Sequence, residues 1–268
     1  SMVNLSQSFV ATVPVLNAII GFKGGSATKE IVKAMSDAHR LFQIKNRLDS
    51  YGFRFDEITK PKEYTFLTQD EWGMLRNLHS KGVIQAIVNI DLGAKYKRAI
   101  GEVGRLSNPK LAEGWAKVMD ASAFFFGAAE QVNRIAAALA TYRVAQKPGN
   151  LAKFKSFANT NMFAYEGEMT PEQAARMIVY VTQFVVSKEN RPEKWRGGFM
   201  NVATQFLSFV MQYAGLYAKA LNIAKVEPRI AAYMIGGLVL SMMFFGGVMG
   251  LPYLDNLRSI IARLTREL

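Results

Sequence analysis

Apolar residues recur along this chain at intervals of three and four, the spacing of one helix face. No segment keeps the two-residue alternation of a half-buried strand. "GGSATKEIVKAMSDAHRLFQIKNRLDSYGF" puts Ile31, Met35, Ala38, Leu41, Phe42 and Leu48 at helical spacing, with Ser26 or Thr28 as cap and Gly52 as the stop. "LTQDEWGMLRNLHSKG" opens on a capping box, Thr68 with Glu71, and stops near Gly82. "VIQAIVNIDLGAKYKRAIGEVGR" reads as one helix or two short ones. In "SNPKLAEGWAKVMD", Asn108 caps and Pro109 takes the first helical position; that helix runs to Arg143 with a kink at Gly127. "QKPGN", Gln146 to Asn150, is a break. "MTPEQAARMIVYVTQFVVSK" starts on Thr170 as cap, Pro171 in first position and Gln173 closing a second box. Two apolar segments follow, 197–222 and 229–250, and "DNLRSIIARLTREL" is a short amphipathic tail. At the front, "VNLSQSFVATVPVLNAIIGF" reads as an extended or short helical lead-in, with Pro14 breaking any long helix.

The elements predict an all-α helical bundle of about eight to ten helices, since long periodic segments are those a sequence declares most clearly. The break divides the chain into an N-terminal helical half, 3–146, and a C-terminal helical half, 150–268, expected to form one compact module. Ser1 before Met2 resembles a cleavage scar left by expression, so residues 1–2 are set aside and the chain is expected to be a module of a longer protein.

"AAYMIGGLVLSMMFFGGVMGLPY" stands out, because no charge interrupts the chain between Arg229 and Asp255. About 20 helical residues span a hydrocarbon core of roughly 30 Å, so length alone fits a membrane span. A helix apolar all round also fits the centre of a bundle. Gly246 and Gly250 form a GxxxG pair that permits close helix approach in either setting. Lys219, Lys225 and Arg229 precede the segment and Arg258, Arg263 and Arg266 follow it, so charge assigns no orientation. The turn at Gly250, Leu251 and Pro252, with an amphipathic tail after it, favours a fully apolar central helix packed by its neighbours.

Composition narrows the partners. With 268 residues the chain is long enough for a sizeable core. Thirty-three Lys+Arg against 21 Asp+Glu give a net charge of +12, which suits nucleic acid, phospholipid headgroups or acidic protein surfaces. The basic residues are scattered, as in "KYKR", "KFK" and "EKWR", the ordinary pattern of a solvated surface. The chain has no Cys, which excludes disulfides and thiolate metal sites.

Candidate chemistry is sparse. His39 and His79 are the only histidines, far apart, and are expected to be packing or surface residues; no metal site and no cofactor are inferred. "GFKGGSATKE" lacks the Gly-Lys-Ser/Thr of a phosphate loop, and "GEVGR" is a bare GxxG. Asp70 and Glu71 sit in a first helical turn, where negative charge complements the helix dipole. No catalytic residue emerges, and the balance leans against an enzyme. In "ASAFFFGAAEQVNRIAAALATYRVA", Glu130 and Arg134 are four apart and share a face, with Asn133 beside them. These three are expected to form a structural clasp, whose rupture, if buried, costs about 3–5 kcal/mol because one charge is stranded. An enzyme site around Glu130 and Arg134 is the weaker alternative. Asn201, Gln205, Ser208 and Gln212 make an uncharged polar stripe suited to a neighbouring helix or to an aqueous path.

"VNLSQSFVATVPVLNAIIGF", "LHSKGVI", "AEQVNRIAAALATYRVA", "NRPEKWRGGFMNVATQFLSFV" and "GGVMGLPYLDNL" follow one another in an order that resembles large polyvalent proteins of tailed phages and mobile elements. It is similar also to the internal virion (ejection) proteins of short-tailed phages. The resemblance covers nearly the whole chain and maps its motif residues onto Glu130, Asn133, Arg134, Tyr142, Arg143, Pro192, Gly197, Gln205, Phe206, Gly250, Leu251 and Pro252. It implies a non-enzymatic module of a virion protein ejected with the genome, contributing to DNA delivery or to an envelope-spanning conduit. Implied partners are other phage virion proteins or a second copy, with DNA or anionic membrane as further partners and no small-molecule substrate. The implied location is the virion interior, then the host envelope or cytoplasm. The alternative is a soluble basic module that acts inside the host on nucleic acid or a host protein.

Overall fold

A π-helical turn, Ser8–Thr12, runs directly into helix α1, Val13–Ile20. Pro14 lies in the first turn of α1, at the change from π to α winding, and the α-helix that follows is short, eight residues, matching the short helical lead-in expected from the sequence. Gly21 ends α1 at φ 87°, and its N–H bonds to Asn17 O at 2.9 Å. The computed structural model describes residues 8–21, 26–43, 48–49, 52–53, 55, 59–85, 128–160, 167–183 and 214–246.

Eight helices longer than the π turn occupy these residues, and the architecture is an all-α bundle. Helix α2, Ser26–Phe42, buries Ala27, Ile31, Ala34, Ala38 and Leu41, the face its spacing predicts. It stops earlier than expected. Leu48 is not a helical core position but pairs with Phe53, and Asp49 with Gly52, in a minimal antiparallel ladder of β1, Leu48–Asp49, and β2, Gly52–Phe53. Asp, Ser and Gly at 49, 50 and 52 are turn residues, and that local preference wins over continued helical periodicity.

Helix α3, Gln69–Ser80, has the predicted box: the Thr68 hydroxyl accepts from Glu71 N–H, and the Glu71 carboxylate accepts from Thr68 N–H. Phe55, Tyr64 and Trp72 pack around it, with Tyr64 stacked on Trp72 at 5.4 Å and Phe55 tilted on it at 5.1 Å. Helix α4 covers 128–145 and is buried along nearly its whole length, which its run of alanines permits. The break at "QKPGN" is a turn with Gly149 at φ 77°. Helix α5, Asn150–Thr160, follows and was not anticipated, although Phe154, Phe157 and Ala158 stand at helical spacing and are buried. Helix α6, Pro171–Thr182, carries the second predicted box, Thr170 with Gln173. Helices α7, 214–224, and α8, Pro228–Gly246, are joined by a short turn.

The buried hydrophobic core draws on helices from both sides of 146–150. Its centre is α1, whose residues Pro14 to Ile19 are all buried and which contacts α2, α5 and α8. The expectation of a fully apolar central helix over 229–250 is not met by the side chains of 228–240, and residues 247–250 lie outside the described residues. Over 228–240, α8 buries Ala231, Met234 and Leu238, while Tyr233 is 48% and Leu240 65% exposed. The reason is geometric: Gly237 lies against Pro14, where an added Cβ would meet the proline Cβ at 2.9 Å, so one face of α8 is seated on the short α1 and the other is left outside. Among the described residues no helix is long and apolar enough to cross a membrane.

Several expected features lie outside the described residues: all of 86–127 with Asn108, Pro109 and Gly127, the motif positions Pro192, Gly197, Gln205, Phe206, Gly250, Leu251 and Pro252, the stripe Asn201, Gln205, Ser208 and Gln212, and the amphipathic tail.

Candidate functional site

Helix α4 carries polar residues on an otherwise apolar cylinder, and several of them reach neighbouring segments. Arg134 forms an ion pair with Glu130, one turn earlier, and its Nη1 donates to Val83 O at 3.2 Å. The side chain of Arg134 is 1% exposed. Asn133 turns elsewhere: its Oδ1 accepts from Ser8 Oγ at 3.1 Å. Glu130, Asn133 and Arg134 therefore tie α4 to the segment after α3 and to the π turn. A guanidinium this enclosed has no access to a substrate, and its donors point to a carboxylate and a backbone carbonyl. The geometry suits a clasp and not an acid–base site.

A second cluster sits at the other end of α4. Arg143 Nε donates to Glu71 Oε1 at 2.5 Å, and its Nη1 lies 2.8 Å from Asp37 Oδ2. The Asp37 contact is an ion pair whose angle is poor for a hydrogen bond. Both carboxylates are buried and the Arg143 side chain is only 11% exposed, and together they join α2, α3 and α4 through one cation and two carboxylates. Burial opposes the charge on Glu71, but hydrogen bonds from Arg143 and from Thr68 N–H, with the Arg143 charge, outweigh it and hold the carboxyl below its ordinary value. Burial likewise opposes the charge on Arg143, and the two carboxylates overcome it and raise its pKa. The neighbouring Tyr142 hydroxyl is pushed up by burial first and then by the charges of Asp70, Glu71 and Glu172. Close by, Glu172 in the first turn of α6 accepts from Asn77 Nδ2 at 2.6 Å and from Lys81 Nζ at 3.1 Å.

A third polar layer lies under the π turn. Thr12 Oγ1 and Thr182 Oγ1 are 2.9 Å apart, and Gln183 Nε2 donates to Thr12 Oγ1 at 2.9 Å. These residues link the π turn to the end of α6. Nothing in the sequence spacing announced them, because the partners are separated by 170 and 171 positions.

The hairpin of α7 and α8 differs from the rest. Leu221, Val226, Tyr233 and Leu240 are exposed there, with Lys225 and Arg229 also exposed beside the turn. On α7, burial raises the Tyr217 hydroxyl to about 12 and lowers the Lys219 ammonium. Of the two histidines, His39 is exposed on α2 and His79 packs 5.5 Å from the Phe55 ring. Among the described residues no group of three or more His, Asp or Glu side chains is placed to hold a metal.

The structure thus brings Glu130 to Arg134, moves Asn133 to a different partner, and gives Arg143 two carboxylates that sequence reasoning had not connected to it. Their separation of 72 positions between Glu71 and Arg143 hides the contact from any local pattern. Comparison with known protein families, curated proteins and solved structures finds no match for this chain.

Proposed function

We propose that this chain is a non-enzymatic, all-α module of a phage virion protein that leaves the capsid with the genome and contributes to DNA delivery or to an envelope conduit. The observation that carries the reading is the α7–α8 hairpin, where Val226, Tyr233 and Leu240 stand exposed next to Lys225 and Arg229. Large apolar side chains left exposed together on one hairpin suit a docking partner, and Lys225 and Arg229, with the single acid Glu227 between them, suit an anionic or acidic one. The order of motifs along the chain and the net charge of +12 support the same reading. The buried ion clusters hold the bundle together and leave its surfaces to do the binding. Partners on this reading are other virion proteins or a second copy, then DNA or anionic membrane. The location is the virion interior before infection and the host envelope or cytoplasm after it.

The test is quantitative mass spectrometry of the purified phage particles, before and after DNA release is triggered in vitro. The protein should be present in full particles and depleted from emptied capsids. A protein found only in infected cells and never in particles overturns the proposal in favour of the host-side basic module.

A further inference from the structure

Charge is sorted on α2. Both of its acidic residues are paired: Asp37 is buried against Arg143 at 2.8 Å, and Glu30, with its side chain 18% exposed, lies 2.9 Å from Lys147. Lys29, Lys33, His39 and Arg40 are exposed, whereas neither carboxylate of this 17-residue helix is fully exposed and each is engaged by a cation from another segment. Helix α5 extends the same pattern. The segment 144–160 holds Lys147, Lys153 and Lys155 and no acidic residue, and α1 has none either. The two basic helices are neighbours of one element, since α2 and α5 both contact α1. Lys147 bonded to Glu30 ties the turn before α5 to α2, and Lys153 Nζ donating to Ile20 O at 3.1 Å ties α5 to the end of α1. Arg40 is held in place by stacking its guanidinium 4.4 Å over the Phe66 ring, which leaves its charge on the surface.

We propose that the outward face of α2, with the start of α5, binds the phosphate backbone of duplex DNA. Lys29 and Lys33 are one turn apart, about 6 Å along the axis, and Arg40 lies about 10 Å further, at ~1.5 Å per residue. Such a row meets a line of phosphates spaced by a few ångströms each and releases their counterions. The chemistry of the face separates DNA from its competitors. An interfacial membrane helix needs an apolar side to sink into the headgroups, and Val32 is the one large hydrophobic residue exposed on α2. A single strand is gripped by stacking on exposed aromatic rings, whereas Phe154 and Phe157 of α5 are buried. Binding through this face reads backbone and not base sequence. The inference names the DNA-contacting surface of the role proposed above and rests on that reading for its setting. Absence from particles would remove the setting alone, and unaltered binding by the variant below would remove the surface alone.

The test uses the whole chain, a fluorescent random-sequence duplex and anisotropy titrations between 50 and 200 mM salt. The double variant K29Q/K33Q is compared with K225Q/R229Q, which removes the same charge from the α7–α8 hairpin. Loss of two phosphate contacts makes the slope of log K against log salt shallower by about 1.8 in the α2 variant, at ~0.9 per contact, and weakens binding by about tenfold or more near physiological salt. The hairpin variant should keep the wild-type slope. Circular dichroism should show both variants as helical as the wild type, since all four positions are exposed. Equal losses in the two variants, or no duplex binding by the wild type at 50 mM salt, overturn the proposal. So does a wild type that binds phosphatidylglycerol vesicles through Lys29 and Lys33 but not DNA.

Discussion

Replacing Arg143 with Met removes the one cation shared by Asp37 and Glu71 and leaves both carboxylates where they are. In the native bundle these side chains are 7% and 8% exposed, so water does little to replace the lost guanidinium. Removing one partner of such a buried pair costs about 3–5 kcal/mol, most of it from the stranded charge. For a chain of this size each kcal/mol moves the melting temperature by ~2–4 °C, so a fall of roughly 6–20 °C is expected at pH 7. The pH dependence separates this cause from simple loss of packing. In the wild type the Glu71 carboxyl is held below its ordinary value of 4.5. The stability it contributes is complete above that value and is lost as pH falls through the lower folded value, because the unfolded chain takes up the proton first. In Arg143→Met the hydrogen bond and charge that hold the Glu71 carboxyl down are gone, while the raising effect of burial remains. Protonation then relieves the stranded charges, and the deficit against wild type should shrink as pH falls from 7 toward about 5. Urea unfolding followed by circular dichroism at several pH values measures this. A variant within about 1 kcal/mol of wild type, the range of an exposed ion pair, refutes the reasoning. A deficit that does not change with pH refutes its electrostatic part.

Gly237→Ala should destabilise the fold by about 1–3 kcal/mol, because the new methyl meets Pro14 Cβ at 2.9 Å, whereas Gly73→Ala, with nothing within 4 Å, should be neutral or stabilising. Thermal melts of the two alanine variants decide it, and equal melting temperatures would mean that α8 is not seated on Pro14. Thr170→Ala removes the cap of α6 and should cost about 1 kcal/mol in chemical unfolding, with no loss contradicting the capping box. Ultraviolet titration should show one phenol ionising at about 12 that disappears in Tyr217→Phe; ionisation of this group near 10 would contradict its burial on α7.

The local parts of the fold were legible because they are written in local chemistry. Thr68 with Glu71 and Thr170 with Gln173 are complete capping signals, and both start helices where the spacing placed them. The face of α2 was likewise visible from Ile31, Ala38 and Leu41. Pro14 was read as a limit on helix length, and the α-helix that carries it in its first turn is short, eight residues after a π turn. Hydropathy misplaced the centre of the bundle. It ranks 229–250 as the most apolar stretch, yet burial depends on which helices have neighbours, and α4 and the short α1 are the more enclosed elements among the described residues. The Glu130–Arg134 pair was readable from a spacing of four residues, whereas the link from Arg143 to Glu71 and Asp37 and the link from Thr12 to Gln183 join distant segments and leave no local trace. The sorting of charge on α2 depends on those same distant contacts, since Glu30 and Asp37 look like ordinary surface residues until Lys147 and Arg143 are found against them.

The central claim is that the protein travels with the genome. It is tested by infecting cells with particles whose protein is isotopically labelled while host translation is blocked, then separating spent capsids, envelope and cytoplasm. The account predicts labelled protein in the envelope or cytoplasmic fraction within the time of DNA entry. Label that stays wholly with the spent capsids outside the cell would contradict it.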